Sequence, residues 1–317
     1  MPVGLEGRRI LYPWLDRAGR FSAARLAVFL LLLLPGTWIA LAWAFATPDP
    51  AAGSLLAGAV ASATDAMPVT KALHEIGLWA VRLLLLTLAV TPLRRIAAWP
   101  GFVQYRRMIG VTAFAYVGIH FCLYIVQQNF RIGFVASEIV QRIYLTIGFI
   151  ALLGLAMLAL TSTDGMLRRL GGRRWQLLHY LVYPLIVLGL WHFFLQSKIN
   201  VTEPVLMSGL FIWLMLYRLA YRWNGARTLA WWHLVALAGV AAALTMVGEW
   251  AWYETMTTLG GERLLAANFT LASGMRPTWW VLLAGLAIVL LQLAADRWWG
   301  RARVRNQRRS ADRASIA

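Results

Sequence analysis

"RRWQLLHYLVYPLIVLGLWHFF", residues 173–194, decides what kind of fold this chain can adopt. From Trp175 onward it is a run of Leu, Val, Ile, Trp, Tyr and Phe. Such a run is long enough to cross a bilayer, whose hydrocarbon core takes about 20 residues at ~1.5 Å rise. Two imidazoles, His179 and His192, interrupt it. A polar ring in lipid is costly unless its nitrogens are satisfied, so the segment demands partners for both.

The rest of the chain has the same character. Of 317 residues, 60% are hydrophobic and 14% charged, against about 25% charged in a soluble domain. Apolar blocks fall near 27–46, 74–91, 108–127, 143–161, 176–195, 201–219, 229–248 and 278–295. The expected fold is therefore all-α, a polytopic membrane helix bundle with about eight transmembrane helices. The first block has a rival reading, because basic residues, an apolar run and "AFA" at 44–46 resemble a secretory leader. Its apolar run exceeds the roughly 7–15 residues of such leaders, which favours an uncleaved span.

Charge placement gives direction. The net charge of +17 comes from 30 Lys and Arg against 13 Asp and Glu. The basic residues sit in short clusters between apolar blocks, the pattern of membrane orientation rather than of nucleic-acid binding. Lys71, Arg131, Arg142, Lys198, Arg263 and Arg276 occupy the loops on one side, and Arg82 lies inside a span. All other Lys and Arg fall on the opposite side, from Arg8 and Arg9 through Arg94, Arg106, Arg168, Arg173 and Arg218 to the tail after Arg297. The asymmetry predicts a multi-pass membrane protein with both termini cytoplasmic. The single cysteine, Cys122, excludes an internal disulfide and a cysteine-based metal cluster. Its place in an apolar block reads as a small buried hydrophobe.

Five histidines remain to be explained: His74, His120, His179, His192 and His233. His120 lies about 20 Å from the arginine-rich end of its span, and His192 about 26 Å into the fifth, so both sit in the arginine-poor half. His179 is one turn into the fifth span and marks a second level near the other face. Neutral imidazole is a standard iron ligand, and helix bundles hold cofactors between facing side chains. Histidines at two levels thus suit haem groups carrying electrons across a bilayer. For any one of them alone, a hydrogen bond to a neighbouring helix explains the burial equally well. A proton path is a further rival, although it normally places Asp or Glu at membrane depth.

Two points cut against a simple picture. His179 and His192 are thirteen residues apart, roughly 220° around an ideal helix. Pro184 between them predicts a kink or local rotation. The second level also lacks an evident second ligand, since His233, after "WW", reads as an interface residue. His74, at the mouth of the second span, is a candidate support for the arginine-poor level. Arg82, deeper in that span, needs an anion: a haem propionate, a flavin phosphate, or a polar group of the bundle.

"TPLRR" at 91–95, "RRMIG" at 106–110 and "LTSTDGMLRRLGGRRWQLLHYLVY" at 160–183 resemble the MsrQ (YedZ) family. Its members are haem-binding membrane subunits of methionine sulfoxide reductase systems, in the ferric-reductase-like transmembrane superfamily. The resemblance covers roughly 25–222. It implies a b-type cytochrome of a bacterial inner membrane with one or two haem b groups, with His120, His179 and His192 as haem ligands. It also implies an associated FMN, for which no residues can be assigned. The implied electron donor is quinone or a cytosolic flavin reductase. The implied acceptor is a periplasmic MsrP-type molybdopterin reductase that repairs oxidised proteins.

The expected organisation is a cytoplasmic segment 1–26, a six-helix haem-binding core 27–222, a two-helix extension 223–296 and a basic tail 297–317. Such a chain is an electron-transfer subunit rather than a catalytic one. The outer segment 249–277 offers aromatics for a periplasmic partner or for headgroup anchoring. Two other functions stay open on the residues alone: a stand-alone ferric or quinone-linked reductase, and a haem-free transport or assembly protein. A dinucleotide-binding glycine fingerprint is missing, so the first of these would need another source of reductant.

Overall fold

A computed structural model describes residues 13–15, 19–45, 68–198, 200–258, 260–270 and 274–316. Arg8, Arg9, Arg17 and the end of the "AFA" stretch lie outside the described residues, as do the side chains of the basic tail from 299. Helices make up nearly everything described, and a single Leu15–Phe21 bridge is the only β-type pairing among these residues. In lipid every backbone N–H and C=O must be satisfied within the chain, which a helix does by itself.

The helices run in order: α1 Ala23–Phe45, α2 Pro68–Ile96, a 3-10 turn Pro100–Tyr105, and α3 Arg106–Gln127. Next come α4 Ile132–Gln141, α5 Ile143–Leu160, α6 Asp164–Leu170, α7 Gly172–His179, α8 Val182–Ser197 and α9 Thr202–Trp223. The chain ends with α10 Trp231–Met256, α11 Gly261–Ala267 and α12 Pro277–Ile316. Among the described residues, eight stretches are long and apolar enough to cross a membrane: α1, α2, the 3-10 turn with α3, α5, α7 with α8, α9, α10, and α12 as far as Trp298. The protein is a multi-pass membrane helix bundle.

Four of these spans, α2, α3, α5 and α8, pack together. α2 packs along α3, α5 along α8, and α3 also meets α5. The buried core includes Leu83, Leu88, Ile109, Ala113, Leu155, Ile186 and Leu190 of these spans and Tyr217 of α9. Large apolar residues such as Leu31, Ile150 and Leu290 point outward, which lipid tolerates as readily as a core does. Cys122, expected to be buried, is exposed on that outer surface, and the same reason applies.

The last two spans form a tight unit on α9. Gly209 lies where a side chain would run into Thr245 of α10 and Val281 of α12. Ala238 and Ala241 of α10 are fully buried. Small residues let helix backbones approach closely, the main source of helix association in lipid. At the arginine-poor end, Glu249 of α10 is 1% exposed and bound to Arg276 at 2.5 Å. Trp252 packs against Phe194 of α8 with ring centres 4.8 Å apart.

The fifth span is broken where Pro184 predicts. α7 stops at His179 and α8 restarts at Val182. Tight three-residue bonds, Leu181 N–H to the Leu178 carbonyl at 3.1 Å and Tyr183 N–H to the Tyr180 carbonyl at 3.2 Å, bridge the gap. Pro184 has no N–H for the Tyr180 carbonyl, so the regular ladder cannot pass through.

Candidate functional site

α3 and α8 bring His120 and His192 together in the arginine-poor half of the bundle. Their ring centres are 6.4 Å apart and their planes meet at 85°. Each ring is held by a carbonyl on a third and a fourth helix. Nδ1 of His120 lies 2.9 Å from the Leu73 carbonyl of α2. Nδ1 of His192 lies 2.7 Å from the Tyr144 carbonyl of α5. A carbonyl oxygen can only accept, so in both rings Nδ1 carries the proton and donates it. Nε2 of each neutral ring is then a bare lone pair, the form that binds a metal.

The donor set fits an iron porphyrin. Two imidazoles that held one metal ion through Nε2 at about 2 Å each would have ring centres about 6 Å apart. The observed separation matches. Two imidazoles alone leave a metal short of ligands. Among the described residues no cluster of three or more His, Cys, Asp or Glu could hold a bare ion. A haem, which brings ring nitrogens of its own, would need only these two side chains.

The surroundings are apolar and braced. Phe121 of α3, next in sequence to His120, and Phe149 of α5 pack with ring centres 5.7 Å apart. The Tyr144 ring lies 6.4 Å from His192. Its hydroxyl accepts from Arg142 Nη1 at 3.3 Å. Arg142 lies outside the spans, and the Tyr144 phenol, followed by the Glu138 carboxylate, raises its pKa above the ordinary arginine value. Glu138 also pairs with Arg142 directly. This ties the short helix α4 to the start of α5, the strand of backbone that presents the Tyr144 carbonyl.

His179 occupies the other level and is engaged differently. It stacks on Trp175 at 3.8 Å. Its Nδ1 faces the Trp175 carbonyl at 3.0 Å, and Nε2 faces the Ser162 hydroxyl at 3.1 Å. Trp175 in turn donates its indole N–H to the Thr161 carbonyl at 2.8 Å. Among the described residues His179 faces Trp175 and Ser162 rather than another imidazole. Nearby, Thr163 caps α6 by accepting from Met166 N–H at 3.2 Å, and Asp164 binds Arg107 at 2.6 Å. The "TSTDG" turn thus anchors the arginine-rich loop to α3.

His74 is exposed on α2, one residue past the Leu73 carbonyl that holds His120. Arg82 meets the carboxylate of Glu203 at 3.4 Å and lies 5.0 Å over the Trp79 ring. Its anion in the structure belongs to the protein. Glu203, on the first turn of α9, is not among the sequence-based candidates. Nor are Leu73 and Tyr144, because every residue offers a carbonyl and sequence alone does not select one.

Comparison with known proteins adds the following. The family described as ferric reductase like transmembrane component matches residues 76–190. That window contains His120 and His179 and stops two residues short of His192. The protein-methionine-sulfoxide reductase heme-binding subunit MsrQ of Rhodospirillum rubrum is 40% identical over 205 residues, covering 64% of this chain and 88% of that protein. MsrQ of Xanthomonas campestris pv. campestris (strain 8004) is 43% identical over 171 residues, covering 53% of this chain and 77% of that protein. MsrQ of Caulobacter vibrioides is 38% identical over 164 residues, covering 51% and 77%. No solved structure matches the chain significantly.

Proposed function

From the premise that this chain belongs to the MsrQ family of heme-binding subunits, we propose that it is the haem-carrying electron-transfer subunit of a methionine sulfoxide reductase system. One observation carries the reading: two neutral imidazoles on separate spans, 6.4 Å apart, each with Nδ1 tied to a carbonyl. His120 and His192 would hold the haem iron through Nε2. A bound haem b supplies one-electron redox chemistry, with its potential set by axial ligands, hydrogen bonding and burial.

The residues of the chain have distinct tasks in this reading. Leu73 and Tyr144 hold the imidazoles in one tautomer and one orientation, and a carbonyl acceptor raises the basicity of the opposite nitrogen. Phe121 and Phe149 keep water away and the local dielectric low. His179 would hold a second haem at the arginine-rich level, where no second protein ligand is assigned. His74 is proposed as support beside Leu73. The Arg82–Glu203 pair favours a structural task for Arg82 over contact with a propionate or a flavin phosphate. FMN, implied by the resemblance, has no residues assigned.

Orientation follows from charge. With the arginine-rich face in the cytoplasm of a bacterial inner membrane, the His120–His192 pair lies toward the periplasm. The proposed acceptor is therefore a periplasmic MsrP-type molybdopterin reductase, and the donor, quinone or a cytosolic flavin reductase, works at the other face. Residues 27–222 form the haem-binding core in this scheme, and 223–296 a two-helix extension.

A reduced-minus-oxidised spectrum with haem quantification tests the proposal. The purified protein should show a b-type spectrum with at least one haem per chain. His120→Ala and His192→Ala should each abolish the low-spin signal of the arginine-poor site. Colourless protein from haem-replete cells would overturn the reading. Reoxidation of the reduced protein on addition of an MsrP-type reductase tests the partner separately.

A further inference from the structure

The two imidazoles share a device that the ligand assignment does not contain. His120 donates to the carbonyl of Leu73, and its ring lies against Gly77. His192 donates to the carbonyl of Tyr144, and its ring lies against Gly148. In both cases the glycine is four residues after the accepting carbonyl. The two pairs sit on different helices, α2 and α5, and serve imidazoles from two others.

Helix geometry gives the spacing a meaning. The carbonyl of residue i points along the axis toward the N–H of residue i+4, and one of its two lone pairs is used there. The second lone pair faces outward beside the side chain of residue i+4. Any side chain at that position crowds a ring approaching the carbonyl. A Cβ on Gly77 would stand 2.8 Å from Nδ1 and 2.8 Å from Cε1 of His120. A Cβ on Gly148 would stand 2.8 Å from Nδ1, 2.9 Å from Cε1 and 3.2 Å from Cγ of His192. Real Cβ contacts do not come that close, so the ring would have to withdraw. Nδ1 would leave its carbonyl, and the whole ring, Nε2 included, would be displaced.

Gly118 on α3 and Gly189 on α8 give the contrast. A Cβ at either of these meets nothing within 4 Å. Glycine in these spans is therefore not uniformly required by packing. At 77 and 148 the atoms it spares are those of the two site imidazoles.

We propose that Gly77 and Gly148 are positioning residues for the haem ligands: each, at i+4 from a carbonyl, opens a seat in which one imidazole docks by Nδ1 and is aimed by Nε2. This rests on the haem reading above. The seats set ligand orientation before the cofactor arrives, so that little reorganisation accompanies loading. Loss of such an outer partner typically weakens metal binding about 10- to 100-fold.

The test uses the full chain purified in detergent: wild type, Gly77→Ala, Gly148→Ala, and the controls Gly118→Ala and Gly189→Ala. Haem content, the electron paramagnetic resonance spectrum and the midpoint potential are measured on monodisperse protein. The controls should match wild type. Gly77→Ala and Gly148→Ala should each lose the low-spin signal of two axial imidazoles, in favour of a high-spin signal or lost haem, in protein that retains its helical circular dichroism. A merely structural role would lower yield without changing the spin state of the protein recovered. Low-spin spectra and potentials identical to wild type in both variants would overturn the proposal. Should neither variant be recoverable, proton resonance methods on the wild-type haem protein decide. They should detect an Nδ1 proton on each ligand, slow to exchange in heavy water, and a missing or freely exchanging proton would overturn it. Wild-type protein without haem would instead sink the underlying reading, which separates the two failures.

Discussion

Arg218 reaches from α9 to α2 and donates Nη2–H to the carbonyl of Leu88 at 2.6 Å. That carbonyl is four residues before Pro92, which sits inside α2 and has no N–H to offer. The guanidinium also holds its own helix through the Leu214 carbonyl at 2.8 Å. An arginine in a span thus fills the gap that a proline leaves, and α2 runs on unbroken to Ile96. With Arg218→Met the Leu88 carbonyl loses its donor in the interior of the bundle, at a cost of about 1–3 kcal/mol. Pro92→Ala restores the missing N–H. Thermal unfolding of the two single variants and the double variant checks the coupling. The double variant should recover most of the Arg218→Met loss, and simple additivity would mean that Arg218 serves α2 in some other way.

A second buried charge closes the arginine-poor end. Glu249 is 1% exposed, and its carboxylate takes Arg276 at 2.5 Å and Asn268 at 3.3 Å. Removing one member of such a pair leaves an uncompensated charge and costs about 3–5 kcal/mol. Replacing both with neutral groups costs much less. Arg276→Gln should therefore lower the unfolding temperature sharply, and Glu249→Gln with Arg276→Gln should restore much of it. Equal losses in the single and double variants would show that the pair contributes no more than its packing.

These two features also mark what could be read from the sequence. The eight spans were legible because long apolar runs have few alternatives in lipid, and Pro184 announced the break between His179 and Val182. The end of the seventh span was not legible. A block ending at 248 stops at the first charge, whereas α10 continues to Met256 because Arg276, distant in sequence, neutralises Glu249. Depth along a helix also suggested that His120 and His192 sit at one level. The carbonyls of Leu73 and Tyr144 carry no residue signature, and Gly77 and Gly148 look like any other glycine until the rings beside them are placed.

Arg82 offers a direct discrimination between two tasks. Its contact with Glu203 spans 3.4 Å, with side chains 33% and 44% exposed. A pair that open is worth about 0–1 kcal/mol where water reaches it. If its partner is Glu203 alone, Arg82→Gln should leave haem content and midpoint potential as in wild type and shift the unfolding temperature slightly. A lowered haem content or a displaced potential would place Arg82 against a cofactor anion.

His179 has a proton count that does not close, and this shapes the last prediction. Three contacts surround it: Nδ1 to the Trp175 carbonyl, Nε2 to the Ser162 hydroxyl, and the same hydroxyl to the Leu158 carbonyl at 2.7 Å. Both carbonyls only accept. A neutral imidazole brings one proton and the serine one more, so three contacts share two protons. With Nδ1–H given to Trp175, the serine proton serves either Leu158 or His179. Whenever it serves Leu158, Nε2 is a lone pair facing an oxygen, in the same tautomer as His120 and His192. Binding iron there would give up at most one neutral hydrogen bond, worth about 1 kcal/mol. In the two-haem reading, His179→Ala should remove one haem per chain and leave the low-spin signal of the His120–His192 site unchanged. Ser162→Ala should keep the full haem content, since the serine proton is dispensable once Nε2 is bound to metal. Haem quantification on the two variants checks both statements. An unchanged ratio in His179→Ala would remove His179 from the ligand set and leave it as a hydrogen-bonded brace for the broken fifth span.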